Sequence, residues 1–412
     1  MKLLDTSESK FDRWSKKISI GAFFIFIAAM PFSISLNQST LAIVYLVLAV
    51  RMIRFRKWLP GRTPLDWALL FYAIAEILAL IFSIEFPVAL ANSKRLLLIP
   101  IIYSTICIAT DEDAVKKMVL TFLSVMTVYA LWGVFKYFYM SVIHDASGLS
   151  HRLTLQQMYM TVGGLFMIST IYLLTALIFS REFKWRLIFA IAFCFNFLAL
   201  LVTYTRSSWL GFFSAAALIV IHKSKKAALA FLAALVIAFL FILPDSITDR
   251  FTSIFDPKHP NNVQRTIMWK TAFEIYKDYP ITGIGDIDAG KIYRKYVVEK
   301  NAEIAGHFHS NLVHIAVTLG TLGLLAFLWL FIKIFQSELI IFRKVPNDNL
   351  WLKIAAFGSL AAFVGFFVNG LFEWNFGDAE VATVLWFTIG ISLATAKILW
   401  AEKQVKGAQE VG

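Results

Sequence analysis

Long apolar stretches alternate with short polar connections along most of the 412-residue chain. A helix needs about 20 mostly apolar residues to cross a bilayer, and by this criterion the pattern predicts about twelve transmembrane spans. The predicted spans cover residues 18–36, 39–53, 65–84, 96–110, 117–140, 157–180, 186–204, 207–222, 226–244, 311–335, 351–373 and 380–400. The second, fourth and eighth of these are short for a span. One long polar segment, residues 245–310, separates the ninth span from the tenth.

The composition supports this interpretation, since 59% of the residues are hydrophobic and 16% are charged. Soluble domains are about 45–50% apolar and about 25% charged. We therefore predict an all-α, polytopic integral membrane protein with three regions. These are residues 1–244 with nine spans, 245–310 as a loop with amphipathic helices, and 311–412 with three spans and a tail. Cys107 and Cys194 both lie in apolar runs, and they indicate neither a disulfide framework nor a zinc site.

The distribution of positive charge predicts the orientation of the chain. A net charge of +12 would suggest nucleic acid in a soluble protein, but in a membrane protein Lys and Arg gather in cytoplasmic connections. If the N-terminus is cytoplasmic, the even-numbered connections should be basic. The basic connections are residues 51–62, 181–186, 223–226 and 343–344, which fit this rule. We therefore predict a multi-pass membrane protein, surrounded by membrane lipids, with cytoplasmic termini and no nucleic-acid partner. Segment 245–310 is then outside, which is the periplasm in a bacterium with two membranes.

A helix is predicted inside this polar segment, over residues 265–279. Its apolar side chains recur at spacings of three and four, as in an amphipathic helix. Pro280 ends the pattern, and Gly283 and Gly285 follow it as a turn. Such a helix is expected to lie along the membrane interface, with its aromatic side chains at headgroup depth. A second helix is predicted over residues 287–304.

Three features on the predicted outer face are candidates for chemistry: Arg206, Arg265, and the pair His307 and His309. An arginine beside an apolar span is costly, and such charges are often functional. A guanidinium group matches phosphate oxygens with two hydrogen bonds, so two convergent arginines suit a diphosphate. Histidine titrates near neutral pH and can take a proton from a hydroxyl. Together these residues predict group transfer from a lipid-linked diphosphate to a hydroxyl, with the arginines stabilising the departing diphosphate.

Each candidate also has a simpler interpretation. Arg206 fits an interfacial anchor whose charged end reaches the headgroups. Arg265 fits a solvated residue in the first turn of a surface helix. His307 and His309 fit the polar start of a helix. His314 is predicted to lie inside the tenth span and to face a neighbouring helix, because its five-residue offset from His309 puts it on a different face.

No metal or other cofactor is predicted. Asp256 with His259, and Asp286 with Asp288, each supply part of a metal-ligand set. Neither group has the ligand number and spacing of a known metal site.

Three motifs resemble those of a known family. They are TYTRSSWLGF at residues 203–212, the pattern R-x3-W-x13-GIG from Arg265 to Gly285, and HFHSNLVHIAVTLGTLGLLAF at residues 307–327. In their order and spacing, and in their common predicted side of the membrane, they resemble the O-antigen ligase family, the polytopic bacterial enzymes that join O-antigen to lipopolysaccharide core. The resemblance covers residues 190–335 by motif and the whole chain by span layout.

This resemblance implies a GT-C-like membrane glycosyltransferase that is metal-independent and inverts the sugar in one displacement. The implied donor is a glycan linked to undecaprenyl diphosphate, and the implied acceptor is a sugar hydroxyl of lipid A-core. By motif, Arg206 and Arg265 match the family's diphosphate-binding arginines, and His309 matches its proposed general base. The further substrate-binding residues that we predict are Arg152, His307, Asn311 and Trp269.

Two other functions remain open from the sequence. One is an O-antigen or exopolysaccharide polymerase, which uses the same donor and a different acceptor. The other belongs to a different class, a transporter of lipid-linked oligosaccharide. Transporters usually place charged groups near the middle of the bilayer, often on broken helices. Here the predicted spans hold few ionisable residues, among them Glu76, Lys136 and His314.

Overall fold

The computed structural model describes residues 10–143, 151–237, 241, 244–304 and 306–410. Within these ranges the chain forms α-helices and connecting turns, without strands. The helices are α1 (Lys10–Ala29), α2 (Ile34–Phe55), α3 (Asp66–Ile81), α4 (Phe86–Asn92), α5 (Ile101–Ile108), α6 (Glu112–Ile143), α7 (Tyr159–Phe179), α8 (Phe183–Leu201), α9 (Arg206–Lys223), α10 (Lys225–Ile237), α11 (Asp245–Thr252), α12 (Pro260–Asp278), α13 (Gly290–Tyr296), α14 (Asn311–Lys344), α15 (Leu350–Gly370) and α16 (Ala379–Glu410). A 3-10 helix, Ser93–Leu98, connects α4 to α5.

Eight helical segments of the described chain are long and apolar enough to cross a membrane. They are α2, the broken segment Phe86–Ile108, α6, α7, α8, α14, α15 and α16. The prediction of a polytopic, all-α membrane protein is confirmed at this level. Helices α1, α3, α9 and α10 fall on the remaining predicted spans, so the count of twelve and the GT-C-like arrangement stay predictions. Residues 238–240 and 242–243, in the ninth predicted span, lie outside the described residues.

The centre of the bundle consists of α7, α15 and α16. In the apolar 18-residue stretches of these helices, 83%, 83% and 89% of the residues are buried, against 33% in α8. Helix α9 packs closely on α15, because Gly211 and Gly365 face each other: a Cβ atom on Gly211 would lie 2.5 Å from the Gly365 carbonyl oxygen. Small residues allow such close approach of helices in membranes. The contact holds Arg206, the first residue of α9, over the end of the central bundle.

Helix α14 is interrupted at Gly320, whose φ of 63° lies in the left-handed region. Residues 280–285 fill the interruption with four backbone hydrogen bonds. Ile284 and Gly285 donate to the carbonyls of residues 317 and 318, at 3.0 and 2.9 Å, while the amides of residues 321 and 322 donate to those of 280 and 281, at 2.8 and 3.2 Å. These bonds satisfy backbone groups that a broken helix would otherwise leave unpaired.

The polar segment has a small apolar core of its own, formed with α14. Met268, Ile275, Ile284 and Phe308 are buried together there. The predicted helix over 265–279 is present as α12, which begins five residues earlier.

The second predicted helix, 287–304, is shorter than expected, because α13 covers only Gly290–Tyr296. Beyond it, the Gln264 side chain bonds the carbonyl of Asn301 at 2.9 Å and the amide of Glu303 at 2.9 Å. A side chain thereby satisfies backbone groups that a longer helix would have paired internally.

Candidate functional site

A cavity of about 580 Å³ lies where α7, α14 and α16 begin and α15 ends. Helix α12, together with Glu303, His307 and His309, closes it from the side of the polar segment. Its wall carries ionisable side chains of both signs. These include Arg95, Arg265, His307, His309, Glu373 and Asp378. Side chains far apart in sequence therefore meet at one end of the helical bundle.

Glu373 links the two histidines of the cavity. One of its carboxylate oxygens lies 3.1 Å from Nδ1 of His309 and 3.3 Å from Nε2 of His307. Burial alone would raise the pKa of Glu373, but hydrogen bonds from both histidines, together with the positive charge that each carries when protonated, hold this pKa well below its usual range. The carboxylate is therefore ionised at neutral pH, although its side chain is buried.

Local backbone contacts fix the histidines in place. His309 has a φ of 46°, in the left-handed region that few residues other than glycine adopt. Trp269 on α12 donates from Nε1 to the carbonyl of Phe308, between the two histidines, at 2.9 Å. A strained backbone conformation of this kind persists only where neighbouring contacts hold it.

A chain of buried amides ties this region to the start of α9. Asn311 donates to the side-chain oxygen of Asn375 at 2.7 Å, and Asn375 donates to that of Asn369 at 2.8 Å. Asn369 in turn donates to the hydroxyl of Ser208 at 2.9 Å. Gly370 leaves room for this chain, because a Cβ atom there would lie 2.2 Å from the Asn311 amide nitrogen. The start of α14, two residues after His309, and the start of α9, which carries Arg206, are thus coupled through paired polar groups.

Four arginines gather beside the cavity. Burial, together with the charges of Arg152, Arg206 and Arg265, lowers the pKa of Arg250 to about 10. Arg206 and Arg250 are both buried. Arg206 donates to the carbonyl and hydroxyl of Ser253 at 2.9 and 3.1 Å. Guanidinium groups crowded in this way repel one another, so an anion among them would be strongly favoured.

Arg265 connects the arginine group to the cavity. It lines the cavity wall, and its pKa is lowered by burial and raised by the nearby Glu373 carboxylate. The guanidinium of Arg152 lies over the ring of Tyr159, 4.5 Å from its centre, and Tyr159 also lines the cavity.

The sequence-predicted residues therefore fall into two groups. Arg265, His307 and His309 line the cavity. Four others stand beside it without lining it, namely Arg206, Arg152, Asn311 and Trp269. The amide of Asn311 and the indole N–H of Trp269 are engaged in contacts within the protein. His314 is buried, as predicted, and its ring centre lies 4.1 Å from that of Trp374.

Glu373 and Arg250 are among the residues of the site that were missed in the sequence. Glu373 is the last residue of the predicted span 351–373, and Arg250 is one of several charges in the polar segment. A carboxylate at the end of an apolar span carries a desolvation cost, and this is the signal that would have singled out Glu373. Arg250 has no comparable local signal, because its burial depends on α11 packing near Tyr204, whose carbonyl accepts from Arg250 Nε at 3.2 Å.

His307, His309 and Glu373 also have the geometry of a metal-binding group. Their ligand atoms lie within 4.8 Å of one another, and in the described residues they are the one such cluster. Two imidazoles and a carboxylate make a common zinc ligand set. The same three side chains also form a complete hydrogen-bonded unit by themselves.

Comparison with known proteins agrees with the motifs. A family model described as O-antigen ligase matches residues 187–328. This range contains Arg206, Arg250, Arg265, His307 and His309, and it confirms the family resemblance over that part of the chain. A search of curated proteins finds no match.

Proposed function

We propose that this chain, matched over residues 187–328 by the O-antigen ligase family, transfers a glycan from undecaprenyl diphosphate to a sugar hydroxyl of lipid A-core. The observation that supports this most directly is the placement of four arginines beside a cavity that contains the Glu373-bridged histidines. One part of the site has the chemistry to hold a diphosphate, and the adjoining part has a base for a hydroxyl.

The arginines act on the donor. Arg265, at the cavity wall, and the buried Arg206 and Arg250 provide guanidinium groups near one another. Negative charge grows on the diphosphate as its bond to the sugar breaks. Preorganised cations stabilise that charge without having to reorganise. An arginine fork also orients the phosphate oxygens, which a lysine ammonium does not do.

His309 acts on the acceptor. Its Nδ1 faces Glu373, so its Nε2 is the nitrogen left to accept a proton. The acceptor oxygen forms a bond to the anomeric carbon as the bond between that carbon and the diphosphate oxygen breaks. The electron pair leaves with the diphosphate, and the hydroxyl proton passes to Nε2. A single displacement inverts the anomeric configuration, through an oxocarbenium-like transition state by analogy with glycoside hydrolysis.

Three further parts of the proposal concern the setting of the reaction. The cavity opens on the periplasmic side of the bacterial inner membrane, and both termini are cytoplasmic, because the basic connections follow the positive-inside rule. The reaction needs no metal, since the Glu373 carboxylate already partners both histidines. Lipid A-core reaches the cavity from the surrounding membrane.

The alternatives make different predictions for a deletion strain. Loss of a ligase leaves bare core and accumulates lipid-linked polymer, whereas loss of a polymerase leaves core capped with a single repeat. A transporter moves the lipid-linked donor across the membrane without transferring its glycan to an acceptor. Glycan transfer by the purified protein between added donor and acceptor would therefore exclude the transporter.

Two substitutions test the proposal directly. Arg265→Ala and His309→Ala should each abolish the O-antigen ladder on a lipopolysaccharide gel, and Arg265→Lys should impair it because the fork is lost. Arg294→Ala is the matched control, since Arg294 is an exposed arginine of α13 that does not line the cavity. A normal ladder in both alanine variants would overturn the assignment.

A further inference from the structure

A second large cavity lies at the opposite end of the bundle from the histidines. It measures about 750 Å³ and is bounded by α14, α16 and the connection over residues 60–64. On α16, its wall extends from Leu393 to Glu402, whereas the helix begins at Ala379 beside the first cavity. At 1.5 Å per helical residue, the two cavities are about 20–35 Å apart along this helix. The second cavity is therefore a separate site.

The charge of this second cavity is predominantly positive. Arg62, Lys344 and Lys397 line it, against the single carboxylate of Glu402. All three cations are exposed, and in the described part of the chain none of them forms an ion pair. Nζ of Lys397 lies 3.3 and 3.4 Å from the carbonyl oxygens of residues 59 and 60, so its ammonium group is next to the connection over residues 60–64. This arrangement favours an anion.

Most of the remaining wall is apolar, apart from Thr63 and Ser337. Ile106, Ile341, Leu393 and Trp400 face the same space, and the Trp400 side chain is exposed. A free inorganic anion would make no favourable contact with this apolar surface. An acyl chain would cover the surface, which removes the surface from water or completes its packing in the bilayer. Tryptophan is also typical of the depth at which headgroups meet hydrocarbon. Exposed cations and an apolar wall in the same cavity match the headgroup and the acyl chain of a phospholipid.

We propose that this cavity is a binding site for an anionic phospholipid. The phosphate headgroup contacts Arg62, Lys344 and Lys397, and an acyl chain lies along the apolar wall between α14 and α16. Basic pockets between transmembrane helices are known to select anionic headgroups in this way. The bound lipid would bridge the end of α14, the end of α16 and the 60–64 connection. The inference does not depend on the reaction at the other end of the bundle.

Native mass spectrometry of the full-length protein tests this site. The protein is purified in detergent and titrated with cardiolipin or phosphatidylglycerol, and with phosphatidylcholine as the zwitterionic comparison. Wild-type protein should bind the anionic lipids in preference. The variant R62Q/K344Q/K397Q should lose roughly tenfold to a hundredfold in affinity for them, with little change for phosphatidylcholine. Equal binding of all three lipids by wild-type protein would overturn the proposal.

A matched control separates this site from general attraction to basic surfaces. The variant R181Q/K184Q/K225Q removes the same charge from exposed residues that do not line the cavity. It should bind anionic lipid as the wild type does. Equal losses in the two triple variants would show a diffuse effect and refute the site. Displacement of the lipid by inorganic phosphate at equal concentration would also refute it, because the cavity would then select a soluble anion.

A second measurement does not depend on substitutions. A photoactivatable phosphatidylglycerol with the reactive group in its acyl chain should label wild-type protein at the peptides around residues 337–346 and 393–402. Labelling confined to other helices would overturn the proposal, even if the triple variant failed to fold.

Discussion

Nδ1 of His309 lies 3.1 Å from the carboxylate of Glu373. The two residues are 64 positions apart in the chain, and the contact joins the start of α14 to the connection between α15 and α16. A carboxylate in this position favours the neutral tautomer that carries its proton on Nδ1, and it stabilises the imidazolium that forms when Nε2 accepts a proton. Glu373 is thus a positioning residue for the proposed base.

Replacement of that carboxylate should impair the chemical step. Glu373→Gln keeps the size of the side chain, but an amide can donate to Nδ1 and so favour the wrong tautomer. We expect glycan transfer by the purified protein to fall about 100-fold or more, the usual worth of a general base, with a smaller change in donor KM. Glu274→Gln, at an exposed ion pair of α12, is the control. Unchanged turnover in the Glu373 variant would remove the carboxylate from the mechanism.

The same residue should make stability depend on pH. Because the folded-state pKa of Glu373 is depressed, its ionised form stabilises the fold above its unfolded pKa of about 4.3, and this contribution is lost as the pH falls towards the folded value. Thermal unfolding in detergent should therefore show a wild-type protein that is more stable than Glu373→Gln at pH 7. The difference should shrink below about pH 4. A difference that grows on acidification would contradict the assigned sign.

Arg250 should matter nearly as much as the arginines found by motif. Its guanidinium is buried beside three other positive charges, which is a costly arrangement without an anionic ligand. Arg250→Gln should therefore lower glycan transfer about 10- to 100-fold, while the protein itself becomes no less stable. The comparison is Arg294→Gln, at the exposed face of α13. Full activity in the Arg250 variant would mean that the donor diphosphate does not reach this arginine.

Chelation tests whether the three-ligand cluster holds a metal. If Glu373 serves only to hold the histidines, prolonged dialysis of the purified protein against EDTA should leave glycan transfer unchanged. Loss of activity that zinc restores would instead support metal binding by His307, His309 and Glu373, whose ligand atoms are within 4.8 Å of one another. Elemental analysis of the same sample provides the independent measurement.

The amide chain between α14 and α9 should be sensitive to a single methyl group. Gly370→Ala places a Cβ atom 2.2 Å from the Asn311 amide nitrogen, so either the hydrogen-bonded amides or the end of α15 must shift. We expect a loss of about 1–3 kcal/mol in stability, seen as a lower midpoint of thermal unfolding, together with reduced transfer. Gly21→Ala is the matched control, because a Cβ atom there meets no neighbour within 4 Å. Equal effects of the two substitutions would contradict the close contact.

The sequence predicts the features that depend on local periodicity. Apolar runs of the right length mark the helices, and spacings of three and four mark α12 with its end at Asp278. What it does not predict are contacts between distant segments. The pairing of Glu373 with His309 and the burial of Arg250 depend on how α11, α14 and α15 pack. No property of the residues adjacent to Glu373 shows that its partners are 64 and 66 positions earlier.

The interruption of α14 at Gly320 has a consequence for protein engineering. Residues 280–285 supply hydrogen bonds to both sides of the break, so the polar segment and the tenth span are complementary parts of one structure. A chimera that takes the outer loop from one homologue and the membrane helices from another would combine hydrogen-bond donors and acceptors that come from different parents. Exchanges of the outer loop should therefore place their junctions on α11 and beyond residue 322, so that both halves of this contact come from the same parent.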